Sequence, residues 1–454
     1  KMGTTSESAD RGASRPQNPA MPMNFLASRT TTALFALSAA FLILPRLDLP
    51  FDADQDTQRI SFSTRPAAQI LTHQDGDQRN PEFMYLLLHG ATRFSIRETW
   101  ARLPAALFAV SSIGLFHRAA LSFMSPAQAC AAVVLLLCNP VFLVTAREVG
   151  WVPGFLFFSI LLLWMLGLSV DKKSVIAPGI LLAAALALEF LNYFAVLILL
   201  PALVYAVWTA TKRGASRRTW LVMVAALALG IPSWMGLAEA LRFEPAARQL
   251  AVAFPGMIWG NYGWRSYGQD LQRMFFPGPF AFLLEVLFAV GMLRYLRTYS
   301  RRHNALWFWT ALLPLAGLMA TGSMRLKPYY FEFTLPAAAW IITGGALEIA
   351  VRLRSFRGKG RDLTALALAG VAAVGLAGLP GICAGLYRSS PYADVPALVQ
   401  ALDKNRPARN IMFAPNNLYS LFLYYAADDP VNAWRGCRRT DWPAITCDYE
   451  GWRL

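Results

Sequence analysis

Three carboxylates stand at alternate positions in Phe51-Asp52-Ala53-Asp54-Gln55-Asp56-Thr57, just after the first long apolar run of the chain. A carboxylate at the edge of a hydrocarbon layer is partly desolvated, which favours proton uptake and suits it to general-base work. Asp-x-Asp spacing also offers hard oxygen ligands to a divalent cation, and the same composition fits a solvated acidic loop. Two further segments carry ionisable groups between apolar runs. One is Ala146-Arg147-Glu148-Val149-Gly150-Trp151; the other is Met324-Arg325-Leu326-Lys327-Pro328-Tyr329-Tyr330. Charges so close to hydrocarbon are costly and often functional. Arg147 and Glu148 could simply pair with each other. Arg325 and Lys327 have no acidic neighbour before Glu332 and are suited to an anion such as phosphate, Arg as a fork and Lys as a point charge. Farther on, Trp259, Tyr262, Trp264 and Tyr267 could line a sugar or headgroup site, or form an interfacial aromatic belt.

Other chemistries find no footing. There is no phosphate-binding loop, no dinucleotide fingerprint and no Cys/His set with zinc spacing, and His73, His89, His117 and His303 are scattered. No cofactor is expected, a divalent cation at Asp52, Asp54 and Asp56 being the alternative. Cys130, Cys138 and Cys383 fall inside apolar runs and read as small hydrophobes. Cys437 and Cys447 lie in the polar tail, where an oxidising compartment would join them as a disulfide.

The elements that must hold these residues are membrane spans. The 454 residues are 56% hydrophobic and only 15% charged, with a mean hydropathy of +0.39. Apolar runs long enough to cross about 30 Å of hydrocarbon recur near 30–47, 102–123, 127–146, 151–169, 175–190, 193–210, 219–237, 279–297, 305–322, 331–351 and 363–386. Alternate short loops hold fifteen Lys and Arg: Lys172, Lys173, Lys212, Arg213, Arg217, Arg218, Arg294, Arg297, Arg301, Arg302, Arg352, Arg354, Arg357, Lys359 and Arg361. The intervening short loops hold only Arg147, Arg325 and Lys327. The positive-inside rule then puts the N-terminus in the cytoplasm and the C-terminus outside. The net charge of +15 serves orientation, so nucleic acid is not an expected partner. The organisation that follows is a disordered cytoplasmic tail (1–28), a transmembrane domain (29–387) with long outer loops at 50–100 and 238–278, and a small periplasmic C-terminal domain (388–454). In fold class this is an all-α polytopic membrane protein with about eleven transmembrane helices, outer-face loop helices and a small C-terminal α/β unit. Within that unit 410–415 reads as a strand and 417–426 as a helix. The short apolar patch at 83–91 is expected at the interface.

Three segments in order resemble a known family. They are Asp54-Gln55 after the first span; Asn80-Pro81-Glu82-Phe83-Met84-Tyr85 followed by Arg102-Leu103-Pro104; and Asn139-Pro140 followed by Arg147-Glu148. Lys327-Pro328-Tyr329-Tyr330, leading to Pro336, continues the likeness. The pattern is similar to the polyprenyl-phosphate-sugar-dependent glycosyltransferases of the C-type membrane fold, which include the protein O-mannosyltransferases and the lipid A aminoarabinose and galacturonic acid transferases. The resemblance implies an inverting sugar transfer from a lipid-linked phosphate donor at the outer face. It implies Asp54 as base with Asp52 as runner-up, and Glu148 as a second acid. Arg79, Asn80, Arg147, Arg325, Lys327, Tyr329 and Tyr330 would lie near the donor phosphate, and Tyr85, Trp259, Tyr262 and Trp264 in a sugar or acceptor pocket. Relatives often carry His or Lys where Asn80 stands and an Arg-Tyr pair where Tyr329-Tyr330 stands. The short outer tail favours a lipid or lipopolysaccharide acceptor over a folded protein. A monomer in the bacterial inner membrane, with membrane lipids around it, is expected. The alternative is a transporter or lipid-linked-sugar flippase, which would want internal repeats and ionisable groups at mid-membrane; only Glu189 and Glu285 approach that. A non-catalytic assembly subunit is a third reading, and it would tolerate neutralisation of Asp54.

Overall fold

The computed structural model describes residues 28–51, 54–72, 82–171, 175–192, 195–213, 217–242, 269, 272–298, 328–357, 363–386, 437–439, 445–449 and 452–453. The ninth expected span (305–322) and the expected strand at 410–415 and helix at 417–426 lie outside them. Each of the other ten expected spans falls on a helix. These are α1 (Arg29–Ile43), α5 (Glu98–Ala120), α6 (Pro126–Leu137), α8 (Val152–Val170), α9 (Ala177–Leu191), α10 (Val196–Arg213), α11 (Arg217–Arg242), α12 (Ala281–Arg297), α13 (Leu335–Arg357) and α14 (Leu363–Leu386). Among the described residues four stretches are both long and apolar enough to cross a membrane: Glu98–Ala120, Val152–Val170, Phe331–Arg354 and Leu363–Ala384. Helices are the expected solution, since hydrocarbon offers the backbone no other hydrogen-bond partner.

The ends of the spans follow local chemistry. Ser28 caps α1, its Oγ accepting from the Thr31 N–H at 3.1 Å, and Ser125 caps α6 with Pro126 at the first helical position. The expected third span is broken in two. After α6 the chain restarts as the short α7 (Pro140–Thr145). Pro140 has no N–H to continue the ladder of α6 but suits a first turn. Asn139 caps that turn, its Oδ1 accepting from the N–H groups of Val141 (3.0 Å) and Phe142 (3.2 Å). Residues 50–100, an outer loop by sequence, hold three helices: α2 (Asp54–Ser63), α3 (Ala67–Thr72) and α4 (Glu82–Thr92).

One apolar core runs through the bundle, with Phe116, Phe142, Phe155 and Phe331 fully buried in it. Among the described residues, helix backbones approach most closely where α12 meets α13. A Cβ on Gly291 would sit 2.0 Å from the Ile341 carbonyl oxygen, and one on Gly345 would sit 1.9 Å from that of Leu287. Small residues permit such backbone contact where lipid tails give helices no hydrophobic reason to associate. Beside it Tyr295 stacks on Trp340 with ring centroids 3.8 Å apart. Near the C-terminus β1 (Cys437–Arg439), β2 (Ile445–Tyr449) and β3 (Trp452–Arg453) form an antiparallel sheet in the order β1-β2-β3. Its register sets Cys437 directly opposite Cys447.

Gly345→Ala should therefore lower the melting temperature of the detergent-solubilised protein, at a cost of about 1–3 kcal/mol for overpacking. Gly370→Ala, where an added Cβ meets nothing within 4 Å, should leave it unchanged. Equal melting points for the two variants would show that the α12–α13 contact yields freely.

Candidate active site

The segment that delivers the acidic run is held by two buried guanidinium groups. Arg102, in α5, donates from Nη1 to the carbonyls of Leu47 (3.0 Å) and Leu49 (2.5 Å) and from Nη2 to that of Pro50 (3.3 Å). Its guanidinium carbon also lies 4.9 Å from the centroid of the Phe51 ring. Arg147, after α7, donates from Nη2 to the carbonyls of Pro45 (3.1 Å) and Arg46 (2.8 Å). Arg46 has φ +57, a left-handed conformation uncommon for a residue with a Cβ. Backbone oxygens from Pro45 to Pro50 are thus gathered by two side chains that are 6% and 8% exposed.

On the far side of Asp52 and Asp54, α2 is fastened to the 147–150 loop. The buried Asp56 accepts from the Val149 N–H at 3.2 Å and lies 3.5 Å from Arg59, which in turn donates to the Val149 carbonyl. Side chains of one helix thereby engage both polar groups of a single loop residue. Gly150 lies against the same arginine, with an added Cβ 3.3 Å from Arg59 Nη1. Residue 148 sits between the two fastenings, and the Glu148 side chain is half-buried.

A third segment joins from the other half of the chain. Pro328–Thr334 is a 3-10 helix leading into α13. The Thr145 hydroxyl donates to Glu332 Oε2 at 2.5 Å, and Glu148 is close enough to act on Glu332 electrostatically. Phe333 packs edge-on to Phe155 at 5.4 Å, and Phe155 does the same to Trp151. Asn139 adds a tie of 2.7 Å from Nδ2 to the Met274 carbonyl. One end of the bundle therefore collects the acidic helix, the Arg147-Glu148 loop and the turn that carries Tyr329 and Tyr330.

Asp52, Arg79, Asn80, Trp259, Tyr262, Trp264, Tyr267, Arg325 and Lys327 lie outside the described residues, as do the side chains of Asp54, Tyr329 and Tyr330. Arg147, expected near the donor phosphate, donates to backbone carbonyls of Pro45 and Arg46. Tyr85, expected in a sugar pocket, is buried against Phe62 and Ile70, with its ring edge-on to Phe62 at 4.6 Å; it packs α4 onto α2 and α3. Arg102 and Arg59 carry weight that the sequence reading did not assign them. For Arg102 the signal was present, since an arginine inside an apolar run must find acceptors. Glu332 was noted only as an acidic neighbour.

Between the start of α13, the break at Asn139-Pro140 and α14 opens an apolar cavity of about 440 Å³, lined by Asn139, Pro140, Leu335, Ala338, Gly378 and Ile382 among others. Among the described residues no cluster of three His, Cys, Asp or Glu could hold a metal ion. The alternate spacing of Asp54 and Asp56 also works against a shared cation. At about 100° per residue, positions two apart on a helix fall on nearly opposite faces, and Asp56 is engaged by Val149 and Arg59.

Residues 79–235, from the α4 segment into α11, match the family described as dolichyl-phosphate-mannose-protein mannosyltransferase. The fold is similar to that of ArnT from Cupriavidus metallidurans in the apo state, at TM-score 0.52 and 15% identity over 87% of this chain and 84% of that one. A structure of ArnT bound to undecaprenyl phosphate aligns at TM-score 0.48 and 16% identity, covering 87% and 74%. The oligosaccharyltransferase of Archaeoglobus fulgidus, in complex with Zn and sulfate, aligns at TM-score 0.50 and 12% identity over 92% of this chain and 59% of that one. No curated protein sequence matches. The chain therefore shares its fold with these proteins, and residues 79–235 are similar to the mannosyltransferase family.

Thr145→Val should cost about 1–3 kcal/mol, as a fully buried carboxyl group loses its hydrogen-bond partner. Adding Glu332→Gln should recover part of that loss. Melting curves of the two single variants and the double variant form the cycle; strict additivity would mean that the two side chains are not coupled.

Proposed function

We propose that the protein transfers a sugar from a polyprenyl-phosphate donor to a lipid or lipopolysaccharide acceptor at the periplasmic face of a bacterial inner membrane. The observation that carries this reading is the convergence of three segments at one end of the bundle: the start of α2, the Arg147-Glu148 loop and the Pro328–Thr334 turn. The matched family, described by a dolichyl-phosphate-mannose donor, supports a lipid-phosphate donor here. Asp54 is the base. It takes the proton of the acceptor hydroxyl as that oxygen bonds to the anomeric carbon from the face opposite the leaving group. The bond from anomeric carbon to phosphate oxygen breaks, its electron pair stays on phosphate, and configuration inverts. Polyprenyl phosphate leaves as a monoester. Arg325, Lys327, Tyr329 and Tyr330, with Arg79 and Asn80, stabilise its charge, which is chemistry that needs no metal. Asp52 is the alternative base, Glu148 a second acid of the pocket, and Trp259, Tyr262 and Trp264 stack on the sugar or acceptor.

The apolar cavity beside Leu335 and Pro140 suits the donor's prenyl chain. It is bordered by Leu335 at the start of α13, and small residues such as Ala338 and Gly378 leave it open. The C-terminal sheet suits the same compartment: antiparallel partners lie within disulfide reach, so Cys437 and Cys447 form a bridge there.

Asp54→Asn should lower transfer from polyprenyl-phosphate-linked sugars to lipid A by about 10²–10⁴-fold while binding undecaprenyl phosphate normally. Undiminished transfer would move the base to Asp52 or Glu148, and no transfer by wild type from any donor would favour a transporter. Gly378→Phe should raise KM for a long-chain donor about tenfold, which is about 1.4 kcal/mol of lost binding, and leave a three-isoprene donor unaffected; an equal effect on both chain lengths would put the chain elsewhere. In intact cells a maleimide should label Cys437 and Cys447 only after reduction. Labelling without reduction would remove the bridge.

A further inference from the structure

The hydrogen bonds of Arg102 and Arg147 have a consequence for the reaction itself. We infer that these two arginines are positioning residues for Asp54, acting through the backbone of Pro45–Pro50 rather than on the donor phosphate. This rests on Asp54 being the base.

Asp54 is the first residue of α2, and only Phe51, Asp52 and Ala53 separate it from the carbonyls that the arginines hold. Downstream the restraint comes two positions later, where Asp56 meets the Val149 N–H. The run from residue 51 to residue 55 is therefore bounded by fastenings on both sides. Phe51 adds to the upstream one, being 2% exposed and lying under the Arg102 guanidinium. The two fastenings share a part, because Arg147 and Val149 belong to one loop. Pro45–Pro50, α2 and the Arg147-Glu148 loop thus form one braced unit, and Asp54 and Glu148 belong to it.

At Arg102 the chemistry requires guanidinium. Arg102 reaches Leu47 and Leu49 with one terminal nitrogen and Pro50 with the other. A lysine ammonium is a single point and cannot span acceptors so spread. Arg147 also holds the carbonyl of the one described non-glycine residue with a left-handed backbone, Arg46. Such conformations persist when their surroundings over-determine them. Displacement of a base by about 1 Å can cost a reaction about 10²-fold.

Arg147→Lys and Arg102→Lys should lower kcat by about 10–100-fold, with KM for the polyprenyl-phosphate donor and the Kd of undecaprenyl phosphate within about threefold of wild type. In an Asp54→Asn background the same substitutions should lower the residual rate by less than about twofold, because their effect passes through Asp54. Were Arg147 a phosphate ligand, Kd for undecaprenyl phosphate would rise tenfold or more. Were it only a structural support, its effect would multiply with that of Asp54→Asn. Either result overturns the inference. A wild-type rate in Asp54→Asn itself would instead overturn Asp54 as base, so the two failures are distinguishable.

Discussion

Backbone carbonyls that leave a helix at the edge of a membrane must find donors, and here two buried guanidinium groups supply them. An unsatisfied carbonyl in an apolar setting costs about 1–3 kcal/mol by mutational measures. Arg102 and Arg147 between them satisfy Pro45, Arg46, Leu47, Leu49 and Pro50. The cost works in both directions, since a buried arginine is itself expensive unless its donors are occupied. Neither the turn nor the arginines would be stable in this place alone. The path of the chain from α1 to Phe51 is consequently fixed.

The break at Asn139-Pro140 makes the second half of the arrangement possible. An unbroken third span would carry Arg147 onward along the axis of α6. Ending α6 at Leu137 and restarting at Pro140 redirects one and a half turns of helix, so that Thr145 meets Glu332 and Arg147 reaches back to Pro45. The break is stabilised locally by the Asn139 cap and at a distance by the bond from Asn139 to Met274. A loop placed in this way is held from α1, α2 and the Pro328–Thr334 turn together.

How much of this was legible in the sequence depends on the range of the signal. Apolar runs place the spans because hydrophobicity over about twenty residues is a strong local signal; ten of eleven fall on helices. The segments of Asp54, Arg102-Leu103-Pro104, Asn139-Pro140 and Arg147-Glu148, picked out by their order in the sequence, meet at one end of the bundle. The roles of individual charges were not legible. Arg147 stands beside Glu148, and adjacency suggests a pair or an anion site; nothing near it in sequence announces carbonyls a hundred positions earlier. Tyr85 has the amphipathic character of a sugar-stacking ring, yet Phe62 and Ile70, which bury it, are known as neighbours only once α2, α3 and α4 are folded together.

The acidic run shows the same limit most sharply. Written as Asp52-x-Asp54-x-Asp56, it suggests three equivalent ligands on one edge, which holds for an extended chain with period two. From Asp54 onward the chain is helical, and period two on a helix scatters rather than aligns. The carboxylates must then differ in role. Asp56 fastens α2 to Val149 with Arg59 as its partner, so it belongs to the brace. Asp54, the first residue of α2 and just over half a helical turn away, stands on another face of the helix. As the base proposed above, reached from a turn held by arginines, Asp54 would accept a proton without that turn having to move, which is the condition preorganisation sets for a rapid transfer.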